Sequence, residues 1–458
     1  MKAASFPDDF VWGAAAASYQ IEGAAQSDGK GPSTWDMFCE RPGKIWLGQS
    51  GAVACDHYHR FAEDVALMRD LGLKAYRLSL SWPRLIPEGI GAQNPAGFDF
   101  YNRLFDALLA AGITPNVTLF HWDYPLALYR RGGWLNADSV HWFAEYADRV
   151  ARAFGDRIKV WMTFNEPQVF IDGGHREGRH APGDQMRFHE VLRACHHVLL
   201  AHGHAVQALR AGVQGSSVGY APVVLTYVPA PGEPADPDAL AATMFQTQSH
   251  NLRTNAWWMD PVLLGRYPED GLSFFADDMP RVGPRDLETI AQPLDFLGAN
   301  IYSADFVRRA PTGVAELAPV PAGFPRSAFD WPITPDALYW GTRLLHERYG
   351  LPIVITENGV SCREQVGIDG SVQDTGRIDF ITRYLIELRR AVAEGVPITG
   401  YFHWSILDNF EWAHGYKHRF GLIHVDYATQ RRTLKASALH YANIIRTNGA
   451  ALPDAVFG

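Results

Sequence analysis

Cysteine is scarce in this chain, which has only four in 458 residues. None of them belongs to a CxxC pair, so the zinc and redox motifs built on that spacing are excluded. Because no secretory signal is apparent, we expect free thiols in a reducing compartment. The four residues are Cys39, Cys55, Cys195 and Cys362.

Long hydrophobic runs are also missing. The first ten residues, MKAASFPDDF, contain no apolar stretch of the kind that a signal peptide uses. No uninterrupted apolar run in the chain reaches the length of a membrane helix. We therefore expect a soluble cytoplasmic protein with no membrane partner.

An excess of positive charge is absent, because 41 lysines and arginines stand against 50 aspartates and glutamates. A net charge of −9 gives no reason to propose nucleic acid as a partner. The chain also lacks a Walker-type GK[ST] loop and a GxSxG elbow. These absences exclude the simplest phosphate-binding and serine-hydrolase classes.

Two histidine-rich stretches look like strings of metal ligands. The first, CDHYH, covers residues 55–59 at the predicted start of a helix. The second, HHVLLAHGH, covers residues 196–204 on an amphipathic helix. There His197 and His204 are seven residues apart on one face, which is a common packing pattern. We therefore expect no metal site and no cofactor.

Short apolar runs alternate with longer amphipathic stretches along the whole chain. The runs that predict strands are FVWGAAAASY, KAYRLSLSW, TPNVTLFHW, KVWMTFNEP, SSVGYAPVVLTYV, DFLGANIYS, PIVITENG and ITGYFHWSI. The clearest helical patterns are HRFAEDVALMRDLG, FDFYNRLFDALLAAG, VHWFAEYADRVARAFG and DFITRYLIELRRAVAEG. Strand and helix in alternation predict a parallel sheet in an α/β protein.

Two glutamates stand where apolar runs stop. Glu166 follows RIKVWMTF within TFNEP, and Glu357 follows LPIVIT within ITENG. Both runs predict buried strands, and Pro167 and Asn358-Gly359 mark their ends. A carboxylate at the end of a buried strand is costly to desolvate and needs partners or a task. Two of them, far apart in sequence, indicate a pair that converges on one bond.

Several longer motifs occur in a fixed order from Phe6 onward. They include FPDDFVWGAAAASYQIEGA, VTLFHWDYP, WMTFNEP, GANIYS, VITENG and YFHWSILDNFEWAHGYKHRFGLIHVDY. With this order and spacing, the chain resembles the retaining β-glycosidases of glycoside hydrolase family 1, typified by bacterial β-glucosidases. The resemblance runs nearly from end to end.

The resemblance implies a single-domain (β/α)8 TIM barrel over residues 1–458, with long βα loops. The count of eight units rests partly on the resemblance, because the fifth and sixth units are unclear from the pattern alone. Active sites of such barrels lie at the C-terminal ends of the strands. Glu166 and Glu357 fall at the ends of the fourth and seventh predicted strands, as this rule requires.

By resemblance, Glu166 is the acid/base and Glu357 the nucleophile, and Arg77 and Tyr302 keep Glu357 ionised. In a retaining enzyme we expect the two carboxyl groups to lie about 5–5.5 Å apart. An ionised Glu357 raises the pKa of Glu166 and so keeps it protonated for the first step. Once the sugar esterifies Glu357, its charge disappears, the pKa of Glu166 falls, and Glu166 becomes a base.

The resemblance also implies a set of side chains around the sugar. They are Gln20, His121, Asn165, Asn300, Tyr302, Trp404, Glu411 and Trp412, with Trp331 on the aglycone side. Asn165 and Glu166 are neighbours, so on a regular strand their side chains diverge. Both can face the ligand only if the strand ends irregularly.

The expected function is that of a retaining exo-β-glycosidase, a β-glucosidase with some β-galactosidase or β-fucosidase activity. It would release terminal non-reducing β-D-glucosyl residues from a small β-glycoside or oligosaccharide, as in cellulose degradation. A transglycosylase is one alternative, since it shares the first step of the reaction. A non-catalytic sugar-binding protein on the same fold is another, although the presence of both glutamates argues against it. A third alternative is a 6-phospho-β-glycosidase. Glu411 argues against this alternative, whereas the nearby Tyr416 and Lys417 argue for it. The sequence does not indicate an oligomeric state.

Overall fold

In a computed structural model of the chain, residues 5–247, 250–310 and 312–454 are described. Eight parallel strands form a closed barrel in chain order, and β8 pairs with β1 to close it. Every predicted run contains one of these strands, including the unclear fifth and sixth. The strands are β1 Val11–Ala15, β2 Ala75–Ser79, β3 Thr114–Phe120, β4 Val160–Asn165, β5 Ser217–Ala221, β6 Phe296–Asn300, β7 Ile353–Asn358 and β8 Ile398–Trp404.

Helices follow the strands and surround the barrel, so the predicted (β/α)8 fold is confirmed. The four helices predicted from sequence pattern are His57–Asp70, Pro95–Ala110, Ser139–Phe154 and Thr375–Ala393. The remaining helices of nine or more residues are Phe188–Gly212, Pro237–Phe245, Asn255–Leu263, Asp336–Tyr349 and Ala436–Arg446. Shorter helices lie in the loops at Ser18–Ile21, Thr34–Cys39, Trp82–Leu85, Leu126–Tyr129, Pro167–Ile171, Glu269–Phe275 and Asp286–Ile290.

The helix that follows β3 shows why these sequences form an outer layer. Its buried apolar residues are spaced three or four apart and so share one face of the helix. They include Val140, Phe143, Ala147, Val150 and Phe154. This face is covered by the barrel and by the long helix after β4, with which it makes extensive contact.

Two of the apolar runs continue past their barrel strand into another helix or strand. The run at residues 216–228 divides into β5 and the strand Thr226–Pro229, which belongs to a separate three-stranded sheet. Pro222 lies between them, and proline has no N–H to donate to a ladder. The run that begins at Phe10 likewise ends its strand at Ala15 and continues into the helix Ser18–Ile21.

The long βα loops carry the remaining strands. Ala304–Arg309 lies between Thr226–Pro229 and Ala315–Ala318 in the three-stranded sheet. Ile423–Asp426 and Arg431–Leu434 form an antiparallel pair after β8. The Pro-rich segments at 229–238 and 310–329 fall in these loops, apart from residue 311, which lies outside the described residues. The single-domain assignment remains a prediction.

The cysteines and the histidine-rich stretches have protein environments of their own. All four cysteines are free thiols. His202 Nδ1 lies 2.7 Å from Thr163 Oγ1, and His197 Nδ1 lies 2.8 Å from the carbonyl oxygen of Trp134. Over the described ranges, no three or more metal-ligating side chains are grouped to hold an ion.

Among the helices in that part of the chain, none is both long and apolar enough to span a membrane.

Candidate active site

A cavity of about 350 Å³ contains both predicted catalytic glutamates and lies where the barrel strands end. This volume is within the range of small-molecule sites. Nine of the predicted site residues line it, namely His121, Asn165, Glu166, Tyr302, Trp331, Glu357, Trp404, Glu411 and Trp412. Three others, Gln20, Arg77 and Asn300, are fully or almost fully buried and bond to residues that line the cavity.

Glu357 is the last residue but one of β7 and is held by two donors. Arg77 Nη1 lies 2.5 Å from Oε1, and the hydroxyl of Tyr302 lies 2.6 Å from Oε2. Burial raises the pKa of Glu357 above its usual range, and Arg77 and Tyr302 oppose that rise. Because a guanidinium and a hydroxyl both favour the charged form, Glu357 is the carboxyl group best prepared to be an anion. The predicted contacts of Arg77 and Tyr302 are present.

Glu166 follows the last residue of β4 in a left-handed backbone conformation, with φ 45° and ψ 62°. The register between β4 and β5 shifts between Met162 and Asn165, so the strand end is irregular. This geometry turns the backbone between Asn165 and Glu166, and both side chains line the same cavity. The irregular strand end that the sequence required is therefore observed.

No cationic side chain in the described part of the chain bonds to the carboxyl group of Glu166. Its Oε1 accepts a hydrogen bond of 2.8 Å from Asn300 Nδ2. Burial first, and then the nearby charge of Glu357, raise the pKa of Glu166 to about 8. Glu166 is therefore protonated at neutral pH while Glu357 has the stronger anion-stabilising partners. The two carboxyl groups differ as an acid and a nucleophile must.

Asn165 connects the two glutamates to the rest of the site. Its Oδ1 accepts hydrogen bonds from Arg77 Nη2 at 2.6 Å and from Asn300 Nδ2 at 3.0 Å. Its Nδ2 lies 3.0 Å from Nε2 of His121. Since Arg77 can only donate, the oxygen of Asn165 must face it and the amide nitrogen must face His121. Burial and the charge of Arg77 lower the pKa of His121, so this imidazole is neutral.

Glu411 contributes a further carboxyl group to the cavity. Gln20 Nε2 lies 3.5 Å from its Oε2 and donates more closely to the carbonyl oxygen of Phe410, at 2.9 Å. Burial, and then the charges of Glu357 and Glu166, raise the pKa of Glu411 to about 8. Its carboxyl group has capacity left for hydroxyl groups of a ligand.

Tyr416 and Lys417 were the two residues that argued for a phosphate-binding site. They are not among the residues that line the cavity. The hydroxyl of Tyr416 donates instead to the carbonyl oxygen of Ser50 at 2.7 Å. The side chain of Lys417 is exposed on the surface. Neither residue has the position that holding a phosphate beside Glu411 would require.

Aromatic rings that line the cavity form two groups. Trp404 and Trp412 each stack with His121, at centroid distances of 5.7 Å and 5.9 Å. Trp331 lies 5.2 Å from the ring of Tyr302 and 4.5 Å from that of Phe329. Such faces suit the apolar C–H surface of a pyranose ring or an apolar leaving group.

Comparison with known proteins identifies the family. Residues 2–450 match the model of glycosyl hydrolase family 1. The chain belongs to glycosyl hydrolase family 1. The match covers nearly the whole chain, as the motifs predicted, and this family uses a retaining mechanism.

Relatives in the family have similar length and fold. The chain is 43% identical over 451 residues to beta-glucosidase A of Thermotoga maritima, covering 98% of this chain and 99% of the relative. It is 42% identical over 448 residues to a 1,4-beta-D-glucan glucohydrolase of Thermotoga neapolitana, covering 97% and 99%. A solved structure of the Thermotoga maritima beta-glucosidase in complex with deoxynojirimycin has a TM-score of 0.89 at 41% identity, over 97% and 99%.

Some residues of the cavity were not predicted from the sequence. Trp122 lines it, and its indole N–H donates to the carbonyl oxygen of Asn165 at 2.9 Å. Trp122 stood beside His121 in the FHWDYP motif, so the motif was the available signal. Val169 and His414 also line the cavity, and no chemical pattern in the sequence marked them.

The roles of the site residues in a family 1 reaction remain predictions, as does the separation of the two carboxyl groups. Asn300 and Gln20 were predicted to contact the sugar. In this structure Asn300 donates hydrogen bonds to Glu166 and Asn165, and Gln20 donates one to Glu411. Gln20 Oε1 is buried without a hydrogen-bond partner within the described part of the chain.

Proposed function

We propose that this chain is a retaining exo-β-glucosidase in which Glu166 is the general acid/base and Glu357 the nucleophile. The observation that carries this proposal is the unequal environment of two carboxyl groups in one cavity. Glu357 accepts from Arg77 and Tyr302. Among the described residues, Glu166 accepts side-chain hydrogen bonds from the Asn300 amide alone, and its pKa is raised. Family membership and the β-glucosidase relatives support the same activity.

In the first step, the ionised Glu357 attacks the anomeric carbon while the bond to the leaving oxygen breaks. Glu166 transfers its proton to that oxygen, so the alcohol departs neutral. The negative charge of Glu357 is lost in the new glycosyl ester. Arg77 and Tyr302 hold the attacking carboxylate in place until the bond forms.

In the second step, water cleaves the glycosyl ester. The charge of Glu357 no longer raises the pKa of Glu166, so Glu166 is now a carboxylate and takes a proton from the water. The hydroxide attacks the anomeric carbon, and the ester bond to Glu357 breaks. Two inversions leave the sugar with its original β-configuration.

The proposed substrate is a short β-glucoside. A cavity of about 350 Å³ suits a small molecule better than a long polymer. Glu411 and the unpartnered Oε1 of Gln20 provide acceptors for sugar hydroxyl groups. Tyr416 and Lys417 do not line the cavity, so neither is placed to hold a phosphate beside Glu411. We expect some β-galactoside and β-fucoside hydrolysis and little 6-phosphoglucoside hydrolysis.

A panel of nitrophenyl β-glycosides tests this proposal, followed by cellobiose. We expect the highest kcat/KM on the glucoside among the unphosphorylated sugars, and much lower kcat/KM on the glucoside 6-phosphate. Glu357→Gln is the matched inactive control, because it removes the nucleophile and keeps the side-chain shape. A higher kcat/KM on the phosphorylated substrate, or equal turnover by Glu357→Gln, would contradict the proposal.

We also propose that the enzyme is cytoplasmic. Four unpaired thiols suit a reducing compartment. Fractionation of the source cells, with activity measured in each fraction, tests this part separately. Activity mainly in the extracellular fraction would contradict it.

A further inference from the structure

Thr356 directly precedes Glu357 on β7, and its side chain is buried. Its hydroxyl donates to Oδ1 of Asn300 at 2.6 Å. The amide of Asn300 in turn donates through Nδ2 to Glu166 Oε1 at 2.8 Å and to Asn165 Oδ1 at 3.0 Å. Three hydrogen bonds thus fix an amide that directly contacts the carboxyl group of Glu166.

The direction of these hydrogen bonds follows from the groups involved. Arg77 can only donate, so the atom of Asn165 that it contacts is the oxygen. The Asn300 atom that contacts this same oxygen must then be the amide nitrogen. This leaves Asn300 Oδ1 facing Thr356, whose hydroxyl is the donor that this buried oxygen needs.

Packing fixes the rotamer of Thr356 as well. Gly298 on β6 lies against its methyl group, because a Cβ added to Gly298 would lie only 2.9 Å from Thr356 Cγ2. The space left by the glycine holds the methyl group, and the hydroxyl then points to Asn300. The restricted χ1 of a β-branched side chain adds to this constraint.

We propose that Thr356 is a positioning residue of the reaction, whose hydroxyl fixes the Asn300 amide so that Nδ2 faces the carboxyl group of Glu166. The inference rests on the proposed role of Glu166 as acid/base. Thr356 itself does not line the cavity and acts through Asn300. Without the hydroxyl, Asn300 Oδ1 is buried without a donor and the amide is free to turn away from Glu166.

The consequence is specific to Glu166. A hydrogen bond from Asn300 favours the ionised form of Glu166 and so lowers its pKa. The other groups that act on Glu166 electrostatically are Glu357, Arg77, Tyr302 and Glu411. Of these, only Arg77 bonds to residue 356, and it bonds to the backbone carbonyl oxygen, which every substitution retains.

The matched pair Thr356→Ser and Thr356→Ala tests the proposal, since the two variants differ by the hydroxyl alone. For Thr356→Ala, we expect kcat/KM on an alkyl or phenyl glucoside to fall about tenfold, a part of what general acid catalysis contributes. On a dinitrophenyl glucoside, which needs little acid assistance, the change should be small. The alkaline limb of kcat/KM should move to higher pH. Thr356→Ser should restore both properties to nearly wild-type values.

A second variant separates positioning from general damage to the barrel. Asn300→Ala removes the amide through which Thr356 is proposed to act. Adding Thr356→Ala to Asn300→Ala should therefore change neither the alkaline limb nor the leaving-group dependence any further. Additive losses in the double variant would overturn the proposal.

Two further outcomes of the Ser and Ala pair would also overturn it. One is an equal loss on all leaving groups with an unmoved alkaline limb, which is the signature of a purely structural role. The other is a Thr356→Ala variant that behaves like wild type. Failure of the proposed function looks different, because wild-type protein would then hydrolyse no β-glucoside.

Discussion

The hydroxyl of Tyr302 provides a direct test of how the structure keeps Glu357 ionised. Tyr302→Phe removes one oxygen, the one that lies 2.6 Å from Glu357 Oε2. The aromatic ring should stay in place, because it packs 5.2 Å from Trp331 and 6.4 Å from Phe420. The Arg77 hydrogen bond to Oε1 of Glu357 is retained. The variant therefore removes one of the two hydrogen-bond donors that hold the nucleophile.

The size of the effect follows from the type of bond. A hydrogen bond to a charged group contributes about 1.5–3 kcal/mol. Because about 1.4 kcal/mol corresponds to a tenfold change in rate, kcat/KM should fall about 10- to 100-fold if this contribution is lost. Tyr302 lowers the pKa of Glu357, so its removal raises that pKa. The nucleophile must be ionised, and the acidic limb of kcat/KM should move to higher pH.

The assay is a pH profile of kcat/KM on nitrophenyl β-glucoside, with thermal unfolding of both proteins as the control for folding. We expect the melting temperature to change little, since the ring keeps its contacts. An acidic limb that stays in place, or moves to lower pH, would refute the reasoning. A large fall in melting temperature would show that the hydroxyl holds the fold instead of the nucleophile.

Two further predictions concern Glu166. Glu166→Ala should reduce kcat/KM strongly on substrates with poor leaving groups and much less on dinitrophenyl glucoside. Added azide should then yield a β-glucosyl azide. Equal losses on both kinds of substrate, without an azide product, would contradict the role of Glu166 as acid/base. The pKa of Glu166 is raised to about 8, so the acid stays protonated to that pH and kcat/KM of the wild type should fall above it. The same limb should disappear in Glu166→Ala with dinitrophenyl glucoside, and its persistence would assign the limb to another group such as Glu411.

The fold was predictable because strand and helix patterns repeat along the chain. The eight apolar runs each contain a barrel strand, although the count of eight needed the family resemblance. The pattern of apolar residues did not predict the residue at which an apolar run leaves the barrel. At Pro222 an apolar run continues into a different sheet, because hydrophobicity persists where the hydrogen-bond ladder stops. Local sequence does not record which sheet an apolar residue joins.

That Glu166 and Glu357 line one cavity was also predictable, because a glutamate at the end of an apolar run is unusual and occurs twice. The arrangement of the amides was not. The sequence predicted a sugar contact for Asn300 but did not indicate its bonds to Glu166 and Asn165. Its orientation depends on Arg77 and Thr356, which lie on two other strands. Such a network depends on the register of the barrel, which the sequence of one strand cannot reveal.

The central claim is that Glu357 forms a covalent bond to the sugar. A dinitrophenyl 2-deoxy-2-fluoro-β-glucoside tests it, because the fluorine slows both steps while the good leaving group allows the first. We expect time-dependent inactivation, with one fluoroglucosyl group per chain on the peptide that contains Glu357. Labelling of a different residue, or no labelled peptide together with an α-configured first product from an ordinary β-glucoside, would contradict the account.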